Sequence, residues 1–302
     1  MSTISQTPSP GSHPISVSSR FNLDSWDIQD ADLLFLTPDQ VFFYAHSSVI
    51  LSYSTNYFGG LLVEDPTYDV CEEVDVTQPM SDSFLSIEPK LIVVDITSDI
   101  FNIVLLALYR FPIQEFAPSN QSLRAVIPAL TSLGCDPSTI ACANSELYGL
   151  LLKCAAADPL PIYAIAAEYS FESLAVSVSA LTLKTPLHEI SEDLARQMGP
   201  IYLKRIFFLH LGREDALRRV VMPQPNFHPP DSNPKCDVES QKHIQRAWTL
   251  ASAYVVAQNH LGGMNEVISY LGIQVKCPQC NRSLQERISR LAHDWSTIKY
   301  TI

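Results

Sequence analysis

Apolar residues recur along the chain with two periods, and the places where one gives way to the other mark out its elements. From Ala31 to Leu36 the chain is a short apolar run, stopped by Thr37-Pro38-Asp39-Gln40. A second run, Val41 to Ala45, follows in strand-favouring residues, so the pair predicts a β-hairpin. From Ser47 to Leu62 the spacing lengthens: Val49, Ile50, Tyr53, Tyr57, Phe58, Leu61 and Leu62 fit a helix better than an alternating strand, with Gly59-Gly60 weakening its end. Leu91 to Ile96 returns to strand character. Thr97-Ser98-Asp99 then places capping side chains ahead of Ile100, Phe101, Val104, Leu105 and Leu108, a stripe that predicts a core helix.

Beyond Pro112 helical spacing dominates. Leu123, Val126, Ile127, Leu130 and Leu133 form one face, Leu147, Leu150, Leu151 and Cys154 a second, and Ile162, Ile165, Ala166 and Tyr169 a third, which predicts packed antiparallel helices. Further helices are expected over Phe171 to Leu183, Ser191 to Met198, Ile201 to Leu211 and Glu214 to Val221. Five prolines between Met222 and Glu239 forbid helix, so 222–239 is expected to be an extended linker. The C-terminal segment, 240–302, then resumes with helices near Lys242 to Asn259, Met264 to Leu271 and Leu284 to Tyr300.

Two stretches offer little to bury. Residues 1–24, rich in Ser and Pro, are expected to be a disordered tail. Within 64–90 the eight carboxylates from Glu64 to Glu88 meet no basic residue before Lys90, so this stretch is expected to be a flexible acidic insertion in a first domain spanning 25–112, with a helical extension over 113–221. The expected class is therefore α+β: a short three-stranded sheet flanked by helices, followed by an α-helical extension.

Composition narrows the function classes. At 302 residues and 46% hydrophobic content the chain can bury a full core. Acidic residues outnumber basic ones 32 to 20, and a net charge of −12 opposes binding to nucleic acid. Seven cysteines, odd in number and irregularly spread, point to a reducing compartment. Residues 1–19 contain no apolar run that could serve as a signal peptide, and no stretch is long and apolar enough for a bilayer, so no membrane association is expected. We expect an intracellular protein, cytoplasmic or nuclear. The signatures G-x-S-x-G, Walker A, G-x-G-x-x-G and H-E-x-x-H are all missing, and ten glycines leave little room for a phosphate-cradling loop, so no enzyme is expected and no cofactor, apart from the zinc considered next.

Candidate chemistry is sparse. Cys277-Pro278-Gln279-Cys280 could supply two thiolates to a zinc ion, with Cys236 and one of His243, His260 or His293 completing the set; it could also be a redox pair. Free thiols in a turn are the favoured reading, because one C-x-x-C alone is a weak signal. A zinc-binding regulatory protein is the alternative that this motif supports. Tyr53, Tyr57 and Phe58 form an aromatic stripe that suits either a dimer face or the interior. Asp32 and His46, at the ends of the hairpin, suit a structural or interface role better than catalysis.

The ordered series Asp30-Ala31-Asp32-Leu33, Val41-Phe42-Phe43-Tyr44-Ala45-His46, Val49-Ile50-Leu51-Ser52 with Tyr57-Phe58, then Val93 to Phe101 and Ala107-Leu108-Tyr109, resembles the BTB/POZ domain. Tyr109 is followed by Arg110-Phe111-Pro112 where that family usually carries a glycine. Pro161 to Leu183 is similar to the helix that follows the domain in many basidiomycete proteins. The resemblance implies a non-enzymatic protein-interaction module, a homodimer acting as adaptor or scaffold, in some members for a cullin ubiquitin ligase. The hydrophobic-x-Glu element by which some members meet a cullin has the composition of Leu62-Val63-Glu64, but that triplet falls early in the series.

Overall fold

The computed structural model describes residues 16–63, 89–229, 236, 238–258 and 275–302. It divides into two compact units, Met1–Val178 and Ser179–Ile302. The class is α+β, a small mixed sheet with a predominance of helix. Among the described residues no helix is long and apolar enough to cross a membrane.

The first unit is built on the hairpin. Strands β2 (Leu33–Leu36) and β3 (Val41–Ala45) pair antiparallel, and Gln40 closes the turn in the left-handed region, φ 61°. Helix α1 (Ser47–Tyr53) follows, and β4 (Lys90–Val93) returns parallel to β2. Alternation sends Leu33, Phe35, Phe43, Ala45 and Ile92 to a buried inner face. Helix α2 (Ser98–Tyr109) packs there, carrying Phe101 against the rings of Phe35 and Phe43 at 5.2 and 5.3 Å. The cap for α2 comes from the hairpin turn and not from Thr97: Asp39 accepts the Ser98 N–H at 3.0 Å.

The sheet has four strands where three are expected. β1 (Ser16–Val17) lies parallel to β3 at the far edge, giving the order β1-β3-β2-β4. This corrects the disordered tail over 1–24, of which 1–15 fall outside the described residues. One aromatic is responsible: Phe21 is fully buried against Phe43, Tyr109 and Phe111, while Arg20 pairs with Asp27 and stacks on Phe111. A Ser-rich composition conceals one such anchor.

Helix α1 also stops earlier than its spacing suggests. Tyr57 and Phe58 take left-handed backbone, φ 54° and 57°, ahead of Gly59 and Gly60, so 47–62 is a helix followed by tight turns. The turns drive Phe58 into the core, 5.6 Å from Phe35. From Asn120 onward the first unit is helical: α3 (Asn120–Ser132), α4 (Pro137–Ile140), α5 (Glu146–Ala157), α6 (Pro159–Glu168) and the start of α7 (Glu172–Thr182). Ser119, Asp136 and Ser145 cap α3, α4 and α5 through their side chains.

In the second unit the expected break between Met198 and Ile201 is present, at Gly199, whose φ of 68° is not helical, ahead of Pro200, whereas the helices expected over 201–211 and 214–221 run together; the whole stretch is numbered α8 (Glu192–Val221). Helices α9 (Val238–Gln258) and α10 (Pro278–Ser296) pack on its end. Their shared core is Leu217, Val221, Trp248, Val255, Leu284 and Leu291. The stretch expected to be a linker is free of helix over 224–229, as its prolines dictate, but it does not stand apart from the second unit. Its described residues fold into the second unit: Gln224 bonds Thr249, Pro223 accepts from Arg287, and the His228 carbonyl accepts from Gln241. The expected helix Met264–Leu271 and the acidic residues Glu64–Glu88 lie outside the described residues.

Candidate interface and metal-ligand cluster

Asp32 and His46, two of the five expected interface residues, are held by hydrogen bonds within their own unit. Asp32 Oδ1 accepts the Ser47 N–H at 2.7 Å and Oδ2 the Ser47 hydroxyl at 2.5 Å, so this carboxylate, and not the N-cap residue His46, satisfies the start of α1. Burial pushes the Asp32 carboxyl up, but the Ser47 bonds outweigh it and hold it below the usual range. His46 gives its backbone N–H to Tyr109 Oη at 2.7 Å, and its Nδ1 lies 3.0 Å from the same oxygen. Burial pushes the Tyr109 phenol up to about 12, so it stays a neutral latch between hairpin and α2. Asp32 and His46 thus fix the corner on which the domain is built.

The aromatic stripe divides. Phe58 is 0% exposed and belongs to the core, which corrects its placement at an interface, since a side chain enclosed by Phe35 and Phe101 has nothing left to offer a partner. Tyr53 is half-buried and lines a cleft of about 410 Å³ with Arg110, Ile140 and Glu146. Tyr57 alone of the three is well exposed, at 60%.

A more extensive apolar surface lies on the outer face of the sheet. The strand register sets Tyr44, Leu34 and Leu91 in one row, and Val17, Phe42, Leu36 and Val93 in a second row that crosses all four strands. Leu34, Leu36, Phe42 and Tyr44 are half-buried, while Val17, Leu91 and Val93 are 50%, 56% and 65% exposed. An antiparallel or mixed sheet with one solvated face ordinarily alternates apolar-in with polar-out. Here both sets are apolar, and no charged side chain stands in either row.

In the second unit His228, Cys236, Cys277 and Cys280 converge, with one donor atom from each within 4.8 Å of the others. Cys277 is the N-cap of α10 and Cys280 lies on its first turn, so the motif opens a helix where a turn between helices is expected, and neither cysteine is in a disulfide. Cys236 Sγ is 3.5 Å from Cys280 Sγ, and His228 Nε2 is 3.2 Å from Cys277 Sγ. The amides of Cys280 and Gln279, together with His228, outweigh burial and bring the Cys277 thiol down to about 6, whereas burial first and the neighbouring sulfurs next push Cys280 up to about 12. Of the histidines considered from sequence, His243 and His293 stand outside the cluster and His260 outside the described residues. His228 was concealed by its setting: it sits in the proline-rich stretch, where backbone shape is the dominant signal and no fixed spacing links it to the cysteines.

No family model, curated protein or solved structure matches the chain.

Proposed function

We propose that the first unit is a protein-interaction module of BTB/POZ type and that its outer sheet face binds a second copy of the chain. The observation that carries this reading is the pair of apolar, charge-free rows on that face. Exposed apolar surface of this extent mostly marks an interaction site. A chain of net charge −12 resists self-association wherever carboxylates face one another, and neither of these two rows contains a carboxylate. Isologous pairing is then the economical arrangement, because each row meets its own copy across a two-fold axis. The element order supports the family reading: hairpin, helix, a strand returning parallel to the first hairpin strand, then helix, with Asp32 and His46 latching the corners. A dimer would carry two copies of the second unit, as a scaffold or adaptor requires.

Light scattering after size-exclusion chromatography tests this. The full chain is expected at about twice its 33.6 kDa. Leu91→Glu and Val93→Glu, at positions exposed enough to accept a charge without unfolding, are expected to give folded monomers, and Tyr57→Glu a dimer. A monomeric wild type, or dimers unaffected by charge at both sheet positions, would contradict the proposal.

A further inference from the structure

We infer that His228, Cys236, Cys277 and Cys280 bind one Zn²⁺ as a closed tetrahedral Cys3His site that ties the chain between α8 and α9 to the start of α10. The inference stands on the second unit alone and does not depend on how the first unit associates.

The geometry is close to that of the occupied site. Zn–S bonds of about 2.3 Å and a Zn–N bond of about 2.0–2.1 Å put tetrahedron edges at about 3.8 Å between sulfurs and about 3.5 Å between sulfur and nitrogen. The two shortest contacts, 3.5 Å between Cys236 and Cys280 and 3.2 Å between His228 and Cys277, lie within a few tenths of those edges, and no pair of donor atoms exceeds 4.8 Å. A small rotation of side chains already in place completes the coordination.

The surroundings orient the ligands as a metal requires. His228 Nδ1 lies 2.8 Å from the Pro229 carbonyl, which can only accept, so Nδ1 carries the proton and Nε2 presents its lone pair towards Cys277. Gln241, itself buried, holds the His228 carbonyl at 3.0 Å and directs the same amide nitrogen to Cys236 Sγ at 3.4 Å and Cys280 Sγ at 3.7 Å. Three thiolates and a neutral imidazole around a divalent ion leave one net negative charge. The Gln241 amide and the backbone amides of Gln279 and Cys280 are placed to stabilise it.

The donor set selects the ion and the role. Thiolate and imidazole in a tetrahedral array favour zinc over oxygen-seeking cations such as magnesium or calcium. Four protein ligands leave no open position for water or substrate, so the site is structural. A redox pair needs two thiols and access for a partner, whereas here a third cysteine and a histidine join the pair and the Cys277 and Cys280 side chains are 4% and 1% exposed. The second unit has a small core, and a metal binding only to the folded chain adds its binding free energy to folding. The cysteines ligate as thiolates, and their protons pass to solvent on binding.

The test is metal analysis of the full chain purified under reducing conditions without chelator, followed by chelator treatment and titration with Co²⁺ alone. One zinc per chain is expected, and Co²⁺ should give the visible bands of a tetrahedral thiolate site, saturating at one equivalent and bleached by zinc. Cys236→Ser and Cys280→Ser should lose the bands, while His243→Ala and His293→Ala keep them. His228→Cys, which preserves a four-donor set, should retain one zinc with a shifted cobalt spectrum, and so separates ligand loss from misfolding. A wild type that binds neither metal, one that forms a Cys236–Cys280 disulfide in their place, or serine variants that keep one zinc would overturn the inference.

Discussion

Trp248→Ala is expected to destabilise the second unit by about 3–5 kcal/mol, the range for emptying a large aromatic site from a packed core. Trp248 is completely buried among Leu217, Val221, Val255, Leu284 and Leu291, so its removal opens a cavity where three helices meet. The indole also donates to the Val221 carbonyl at 3.2 Å, at the end of α8 where carbonyls lack helical partners. Ser252 donates to that same oxygen at 3.1 Å, so the carbonyl is not left bare, and cavity formation dominates the loss. Arg287 lies over the indole ring at 5.4 Å and bonds the Val220 and Pro223 carbonyls, a lattice that loosens with the ring. Urea unfolding followed by circular dichroism measures the effect, with Trp248→Phe retaining most of the stability. A loss under about 1 kcal/mol would show that the three helices do not share this core.

Phe101→Ala should have a comparable effect on the first unit, about 3–5 kcal/mol. Phe101 is fully buried and stands edge-on to Phe35 at 5.2 Å and Phe43 at 5.3 Å, with Phe58 at 6.3 Å. Each such edge-to-face pair adds about 0.5–1.5 kcal/mol beyond burial, and the alanine loses all three at once. It is the contact that joins α2 to both strands of the hairpin and to the turn after α1. The same unfolding measurement checks it. Phe101→Leu should recover the greater part of the loss, because volume matters more here than ring geometry. Equal losses for Ala and Leu would instead place the stability in the aromatic pairing.

The periodicity of the sequence was sufficient for the hairpin, β4, α2 and the helical character of the remainder, since each buries a regular stripe. It failed where a few residues override the pattern. Phe21 holds a Ser-rich segment in the first unit although its neighbours are polar. Tyr57 and Phe58 break a helical stripe because left-handed turns let Phe58 reach Phe35. The prolines of 222–229 exclude helix, and their segment still packs, through Gln224, the His228 carbonyl and Pro223. The cysteine cluster was half legible: the C-x-x-C spacing flags a pair, but only the tertiary fold brings His228 and Cys236 to it. The outer face of the sheet was concealed for a simpler reason. Two apolar residues in succession, as in Leu33-Leu34 or Phe42-Phe43, look like a strand buried on both faces, and the register alone separates the row that faces the core from the row that does not.

The most direct test of the interaction reading is side-chain footprinting of the full chain at high and low concentration, following Leu91, Val93 and Phe42. These residues are expected to be protected at high concentration and to become labelled on dilution, as two copies part and the exposure of a lone chain, 56% and 65% at Leu91 and Val93, is restored. Labelling that is free at every concentration would show a face with no partner. Protection that persists at a concentration where light scattering shows a monomer would assign its cover to the chain itself, and either result would contradict self-association through this sheet.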